Sequence, residues 1–442
     1  MKTKTEKFQK YLDKLGINQL NPMQEAMVDT VLRRKNILLL SPTGSGKTLA
    51  FLLPLIKIID LQKSSTQGLI ISPTRELAIQ IHSVLKKLSS GIRILLCYGG
   101  HSMREEKKSM SNIPQIIIGT PGRIHDHLRK GNLVLNELEV VVLDEFDKSL
   151  ELGFHDDMKA ILQNANVIQQ YLLTSATDSV SIPDFLGIKI PTKLNFITEK
   201  RQSGKLNLWK VISPAKDKLD TLLDLISDLG ETSSLIFLNY RDAVDRVYMR
   251  LADLGIEAGY FHGGLEQKDR EVTLLLFRNG SNRILVTTDL SARGLDIPLV
   301  RNVIHYQLPD KEEQFIHRNG RTARMEATGN AFVLTSEYEK LKEYIPSDIK
   351  IYGIGKKKTA PPPPPMVTIE FNRGKRDKIN KIDILGFLTK QGQLLGNDVG
   401  LIEIKKFNSF AAIDRTKAKR VIQNLKEKKI KGKSVKVHII RN

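Results

Sequence analysis

Residues 41–48, "SPTGSGKT", place two glycines, a lysine and a threonine directly after the apolar run Ile37–Leu40. Such a loop suits a phosphate. Gly44 and Gly46 let backbone N–H groups approach the oxygens, with Thr43 before them and Ser45 between them; Lys47 reaches the β and γ phosphates, and Thr48 can ligand Mg2+ at a helix start. The strict pattern wants glycine five positions before Gly46, where Ser41 stands, so the loop alone does not decide the matter. A second constellation supplies what hydrolysis needs. "VVVLDEFDKS" ends an apolar run in Asp144 and Glu145, one carboxylate to hold Mg2+, largely through water, and a neighbour to orient or deprotonate attacking water.

Apolar strands must carry these residues. The first series reads 36–40, 68–72, 93–97, 115–120, 140–145 and 171–177; a second reads 234–239, 282–289, 301–307 and 330–336. Near-continuous apolar strands separated by helix-length segments predict parallel sheets covered on both faces, hence two α/β domains with a joint near 195–210. Ligands in such folds sit beyond the carboxyl ends of strands, which is where both constellations fall. Residues 355–366, "GKKKTAPPPPPM", cannot continue a helix or central strand and read as an extended spacer. Beyond it, residues 366–440 read as β-α-β-β-α-β, a small α+β ferredoxin-like domain of the RNA-recognition-motif type.

Composition bounds the rest. A chain of 442 residues with 40% hydrophobic and 27% charged residues is globular and holds several cores. No apolar stretch is long enough to span a bilayer, and the N-terminus lacks the apolar core of a signal peptide, so a cytoplasmic protein is expected. The lone Cys97 excludes an internal disulfide and reads as a small core residue. Residues 351–442 hold 22 basic and 7 acidic side chains, so most of the net charge of +20 sits in the final fifth, which points to a polyanion.

Together the motifs resemble the DEAD-box ATP-dependent RNA helicases of superfamily 2, over about residues 8–345. That family carries alanine at the position of Ser41, a small-for-small change. The resemblance implies two tandem RecA-like domains, here 1–200 and 205–352, with ATP and Mg2+ as cofactors. "GINQLNPMQ" resembles the Q motif, with Gln24 reading the adenine edge and Phe8 packing against the base. "PTREL" (Pro73, Thr74, Arg75), the doublet Gly99–Gly100 and "TPGR" (Thr120, Arg123) resemble the motifs lining the RNA path. "SAT" resembles motif III, so Ser175 and Thr177, with Asp147, would couple the nucleotide and RNA sites. In the second domain Gln267 and Arg270 fall on the RNA side. "TTDLSARGLDIP" resembles motif V, in which Thr288 meets the RNA backbone and Asp296 the ribose. "HRNGRTAR" resembles motif VI, with Arg321 and Arg324 as arginine fingers and His317 in the coupling set. The implied reaction is RNA-stimulated ATP hydrolysis driving local, non-processive unwinding.

One position departs from the family pattern: "DEAD" is "DEFD" here, with Phe146 in place of alanine. The three carboxylates remain, so hydrolysis should survive; a packed ring would alter rate rather than reaction. After the Lys/Pro-rich linker (353–366), residues 367–442 resemble the RNA-binding domain of DbpA-type DEAD-box proteins, which implies large-subunit ribosomal RNA as partner and a role in ribosome assembly; a monomer is expected. Lys375, Arg376, Lys378 and Lys381 are candidates for phosphate contact; Phe371 and Phe410 could stack on bases, though core placement is the expectation for both. Two other readings stay open: a DNA-directed superfamily 2 translocase, and a non-catalytic RNA clamp or chaperone if Phe146 disables turnover.

Overall fold

The computed structural model describes residues 4–42, 44–89, 91–100, 103–178, 181–197, 206–289, 300–322, 328–355 and 360–440. The chain divides near residue 201 into two compact units.

The first unit is a seven-stranded sheet. Its strands are β1 (Ile37–Leu40), β2 (Gly68–Ile71), β3 (Ile94–Cys97), β4 (Ile116–Gly119), β5 (Val140–Leu143), β6 (Gln170–Ser175) and β7 (Thr192–Asn195), in the order β3-β4-β2-β5-β6-β1-β7 and parallel throughout. Alternation along each strand splits the apolar side chains between two cores. Ile37, Leu39, Ile70 and Val142 face one, while Leu38, Leu40, Leu69 and Val141 face the other. Helices cover both faces, and their ends are set by local sequence. Pro22–Leu32 begins with a proline at its first turn and an Asn21–Gln24 capping box; Arg75–Leu88 is capped by Thr74, whose hydroxyl accepts the Leu77 N–H.

The second unit repeats the plan with β8 (Leu206–Ser213), β9 (Ser234–Leu238), β10 (Ala258–Phe261), β11 (Ile284–Thr288), β12 (Asn302–His305), β13 (Gly329–Ser336) and β14 (Lys350–Ile351), in the order β10-β11-β9-β12-β13-β8-β14, again parallel. The apolar runs in the sequence do not reveal β7, β8, β10 and β14. β8, "LNLWKVIS", is mostly half-buried and carries Asn207 and Lys210, so its apolar signal is diluted. β7 is an edge strand with alternate exposed positions, and β14 has only two residues.

The same unit carries a small antiparallel sheet of β15 (Met366–Phe371), β16 (Val399–Ile404), β17 (Ser409–Asp414) and, after the hairpin β18 (Lys429–Ile430) and β19 (Lys433–Ser434), β20 (Val437–Ile439), ordered β16-β17-β15-β20. Val367, Ile369, Phe371, Ala411 and Ile413 face the core beneath it, with the helices Lys381–Lys390 and Ala418–Leu425. The opposite face carries Thr368, Phe410 and Ala412. All three are buried although none belongs to that core. The Thr368 hydroxyl meets Ser281 Oγ at 2.7 Å and accepts from Asn279 Nδ2 at 3.3 Å. Around this contact Arg415 grips Glu257 through both terminal nitrogens, at 2.9 and 2.5 Å, Arg278 pairs with Glu403 at 3.0 Å, and Lys405 with Glu271 at 2.6 Å. The tail domain is thus seated on the second parallel-sheet domain through its sheet. Among the described residues no helix is long and apolar enough to cross a membrane.

Candidate active site

In the first sheet β5, β6 and β1 are neighbours, so the residues leaving their carboxyl ends converge: the loop 41–47, Asp144 to Asp147, and Thr174 to Thr177. β3, β4 and β2 end along the other half of the same edge, where they gather Gly99–Gly100, Thr120–Arg123 and Pro73–Arg75. One sheet order sorts the candidates into a nucleotide half and a polyanion half.

The phosphate loop closes around its own ammonium. Lys47 Nζ is buried and donates to the carbonyls of Ser41 at 2.7 Å and Pro42 at 3.1 Å. Gly44 and Gly46 both have positive φ, +75° and +91°, which glycine alone adopts without strain. A Cβ on Gly46 would also lie 2.5 Å from Gln24 Nε2. Thr48 is the second residue of the helix Lys47–Ile58, and Ser45 O accepts from Asn21 Nδ2 at 3.0 Å. Ser41 is buried with no partner for its hydroxyl among the described residues, as expected where a methyl group would serve as well. Gln24 props the loop from outside: Nε2 donates to Gly46 O at 3.3 Å while Oε1 accepts the Asn21 N–H at 3.0 Å. Phe8 is 2% exposed and packed in the core beside Tyr11, so a base would meet its ring only after that side chain turned outward. Thr43 lies outside the described residues.

Asp144 is 3% exposed. Burial, joined by the charge on Glu145, pushes its carboxyl up to about 6, against the opposing pull of Thr174 and Lys47. Asp147 is pushed up by burial and then by Glu145, and its Oδ1 is buried without a hydrogen-bond partner among the described residues. Two crowded carboxylates short of positive charge, beside a lysine, are a donor set that suits a divalent cation. Glu145 sits at φ +47°, a left-handed conformation costly for a residue with a Cβ, at the turn that starts the helix Phe146–Glu151. Phe146 is 1% exposed in the core beneath, so the departure from the family pattern is a packed ring.

Thr174, to which the sequence motifs give no role, ties the pair together. Its Oγ1 donates to Asp144 Oδ1 at 2.6 Å and accepts the Glu145 N–H at 3.0 Å. The next residues continue outward: Ser175 Oγ donates to Thr177 O at 2.7 Å, and Thr177 Oγ1 lies 3.5 Å from Asp147 Oδ2. The signal available was the position of Thr174 on β6, beside β5 and level with Asp144.

On the polyanion half, Thr74 and Thr120 are N-caps of the helices Arg75–Leu88 and Pro121–Arg129. Pro73 is buried before the first of these. Arg75 packs against Gly99, where a Cβ would stand 3.1 Å from a terminal nitrogen. Gly100 has φ +94°. Arg123 Nε donates to the buried Glu106 at 2.8 Å.

In the second unit Gln267 opens the helix Gln267–Arg278, Arg270 lies 5.0 Å over the Phe261 ring, Thr288 ends β11, and Arg321 is buried just after the helix Glu312–Asn319, which carries the half-buried His317. Asp296 and Arg324 lie outside the described residues. Arg318, assigned no role from sequence, is fully buried. It pairs with both Asp289 oxygens at 2.6 Å, donates to Gln307 O at 2.6 Å and Asn239 Oδ1 at 2.8 Å, and stacks on Phe237. Those partners lie just past β11, β12 and β9, so one guanidinium fastens three strand ends. In the tail, Lys375, Arg376, Lys378 and Lys381 are not among the buried residues, Phe371 is core, and Phe410 is 4% exposed on the covered sheet face, so neither aromatic offers a stacking platform.

Three family models match the chain: DEAD/DEAH box helicase over residues 21–184, helicase conserved C-terminal domain over 217–326, and DbpA RNA binding domain over 368–439. The ATP-dependent RNA helicase DbpA of Escherichia coli is 34% identical, with 97% of this chain and 96% of that one covered; its Bacillus subtilis counterpart is 29% identical over the same shares. Among solved structures, Saccharomyces cerevisiae Dbp5 bound to RNA and ADP BeF3 superposes with a TM-score of 0.66 at 27% identity, covering 74% of this chain and 86% of that one. Mss116 bound to ssRNA and UDP-BeF gives 0.65 at 25% identity, covering 75% of this chain and 73% of that one.

Proposed function

This chain belongs to the DEAD-box ATP-dependent RNA helicases of the DbpA type, and from that premise we propose that it couples RNA-stimulated ATP hydrolysis to local, non-processive opening of short duplexes in large-subunit ribosomal RNA during ribosome assembly. The observation that carries the reading is the convergence of Lys47, Asp144, Glu145 and Thr174 at the adjoining ends of β1, β5 and β6.

In this reading Lys47 exchanges its carbonyl partners at Ser41 and Pro42 for phosphate oxygens, and the N–H groups of the loop 44–47 cradle the same phosphates. Gln24 turns from Gly46 towards the adenine edge, where an amide can both donate and accept. Asp144 and Thr48 would hold Mg2+, which supplies charge neutralisation along the triphosphate. Glu145, fixed by its backbone bond to Thr174, orients the attacking water and takes its proton. Arg321, with Arg324, neutralises charge developing on the γ-phosphate, for which a permanent planar cation is suited. Asp147, Ser175 and Thr177, with His317, carry the coupling, and Asp296 meets the ribose.

RNA lies across Pro73 to Arg75, Gly100, Thr120 and Arg123, and across Gln267, Arg270 and Thr288, with phosphate contacts setting position rather than sequence. Target choice falls to the tail, whose solvent-accessible Lys375, Arg376, Lys378 and Lys381 suit an RNA backbone. We expect a cytoplasmic monomer. The test compares ATP turnover with no nucleic acid, with DNA and with ribosomal RNA, in wild type and Glu145→Gln. RNA-selective turnover lost in the variant is the expected result. Equal stimulation by DNA would favour a translocase, and no turnover a clamp.

A further inference from the structure

Glu106 stands on the helix Met103–Ser109, and the sequence motifs assign it nothing. Glu106 is 4% exposed, yet its carboxylate meets three residues on two other segments. Oε1 accepts the backbone N–H of Tyr98 at 3.2 Å, Oε2 accepts from Arg123 Nε at 2.8 Å, and His127 Nε2 approaches the same oxygen at 2.5 Å. The Asn132 amide donates to His127 Nδ1 at 3.2 Å, which assigns the ring proton to Nε2 and makes that ring a donor to Glu106. A carboxylate so enclosed is retained because donors meet both of its oxygens.

The residues it joins are those of the polyanion half of the sheet edge. Tyr98 immediately precedes Gly99–Gly100, whose first member packs against Arg75; Arg123 and His127 belong to the helix that Thr120 caps. β3 and β4 deliver these two segments from neighbouring strands, and nothing in their backbone pairing dictates the plane of the Arg123 guanidinium. A bond to Nε does. It fixes the direction in which Cζ and the terminal nitrogens project, and pre-orienting a guanidinium removes rotamer freedom that a phosphate contact would otherwise have to freeze.

We propose that Glu106 is a positioning residue for RNA binding: by holding Arg123 through Nε and the glycine-doublet loop through the Tyr98 N–H, it sets both phosphate-contacting segments in one register. This rests on the reading that Arg123 and Gly100 contact RNA. Because the carboxylate bonds to both segments at once, it acts on the affinity for the strand and not on the chemistry at Asp144 and Glu145, which both leave β5.

The experiment titrates ribosomal RNA into the full-length protein at saturating ATP and reads the half-saturating RNA concentration and the maximal ATPase rate separately, for wild type, Glu106→Asp, Glu106→Gln and Arg123→Ala, with a thermal melt of each. Glu106→Asp keeps the buried charge but withdraws it by one methylene. It should raise half-saturating RNA about fivefold or more with a smaller effect on the maximal rate, whereas Glu106→Gln, which restores length and one acceptor oxygen for Nε but sets its NH2 against the Tyr98 N–H, should return only part of the affinity. A Glu106→Asp protein that melts like wild type and binds RNA equally well, while Arg123→Ala binds weakly, would overturn the positioning role alone. If Arg123→Ala itself binds RNA normally, the assignment of the RNA path falls. If Glu106→Asp lowers the melting temperature and the maximal rate together and leaves half-saturation unchanged, Glu106 is structural only and the proposal is overturned.

Discussion

Thr174 Oγ1 donates to Asp144 Oδ1 at 2.6 Å while accepting the N–H of Glu145, so one hydroxyl on β6 orients both acidic residues that end β5. A Thr174→Val protein keeps the side-chain shape and loses both bonds. Because partners of this kind govern how well a first ligand is aimed, ATP turnover at saturating RNA should fall roughly tenfold or more. Steady-state ATPase assays check this; an unchanged rate would mean that β6 contributes packing alone.

The raised pKa of Asp144 makes a statement about stability. Its folded value of about 6 exceeds the ordinary value of 3.8, so the folded, nucleotide-free chain holds this proton more tightly than the unfolded chain. The stabilisation is fully present below roughly pH 4 and is lost as pH rises through the folded value. Asp147 is raised in the same direction and adds the same sign. Asp144→Asn cannot ionise, so its melting temperature without nucleotide should exceed that of wild type by a margin that widens between about pH 4 and pH 6 and levels off above that. Parallel melting curves across that range would contradict the burial argument.

Phe146 fills core space beneath the carboxylates. Truncation to alanine should cost about 3 kcal/mol or more, because a buried ring leaves a cavity that its neighbours close only in part. RNA-stimulated turnover should persist with altered coupling to strand separation. Denaturant unfolding together with paired ATPase and unwinding assays distinguishes this from a ring that matters to neither.

Arg321 should act on rate rather than on nucleotide affinity. Replacement by alanine is expected to lower RNA-stimulated turnover about a hundredfold or more, with the ATP dissociation constant changed little, since a finger charge matters most as the γ-phosphate departs. Fluorescent-nucleotide binding set beside turnover separates the two effects.

Much of the site is legible in the sequence because the chemistry demands short fixed strings. "SPTGSGKT", "DEFD" and "SAT" each stand at the end of an apolar run, and a parallel sheet brings the residues just past its strands to one edge. The remainder needs the third dimension. Thr174 and Arg318 act on residues at the ends of other strands, so no local spacing announces them. Glu106 lies 17 residues from Arg123 and becomes its partner only once β3 and β4 pair. In β8, Asn207, Lys210 and Ser213 interrupt the apolar run every third residue and hide it. Phe410 is buried, as its type suggests, but on the face of the tail sheet that the second domain covers, a burial that no periodicity within the tail encodes.

Thr368, enclosed between Ser281 and Asn279, has one more implication. The helix Gln267–Arg278 that bears Gln267 and Arg270 is the one whose Glu271 and Arg278 grip the tail. Whatever RNA the tail anchors is therefore held at a constant offset from that helix, as by the fixed jaw of a caliper. Which duplex is opened becomes a question of how many nucleotides separate it from the anchor, so lengthening the spacer in the RNA should redirect the enzyme as surely as changing its bases.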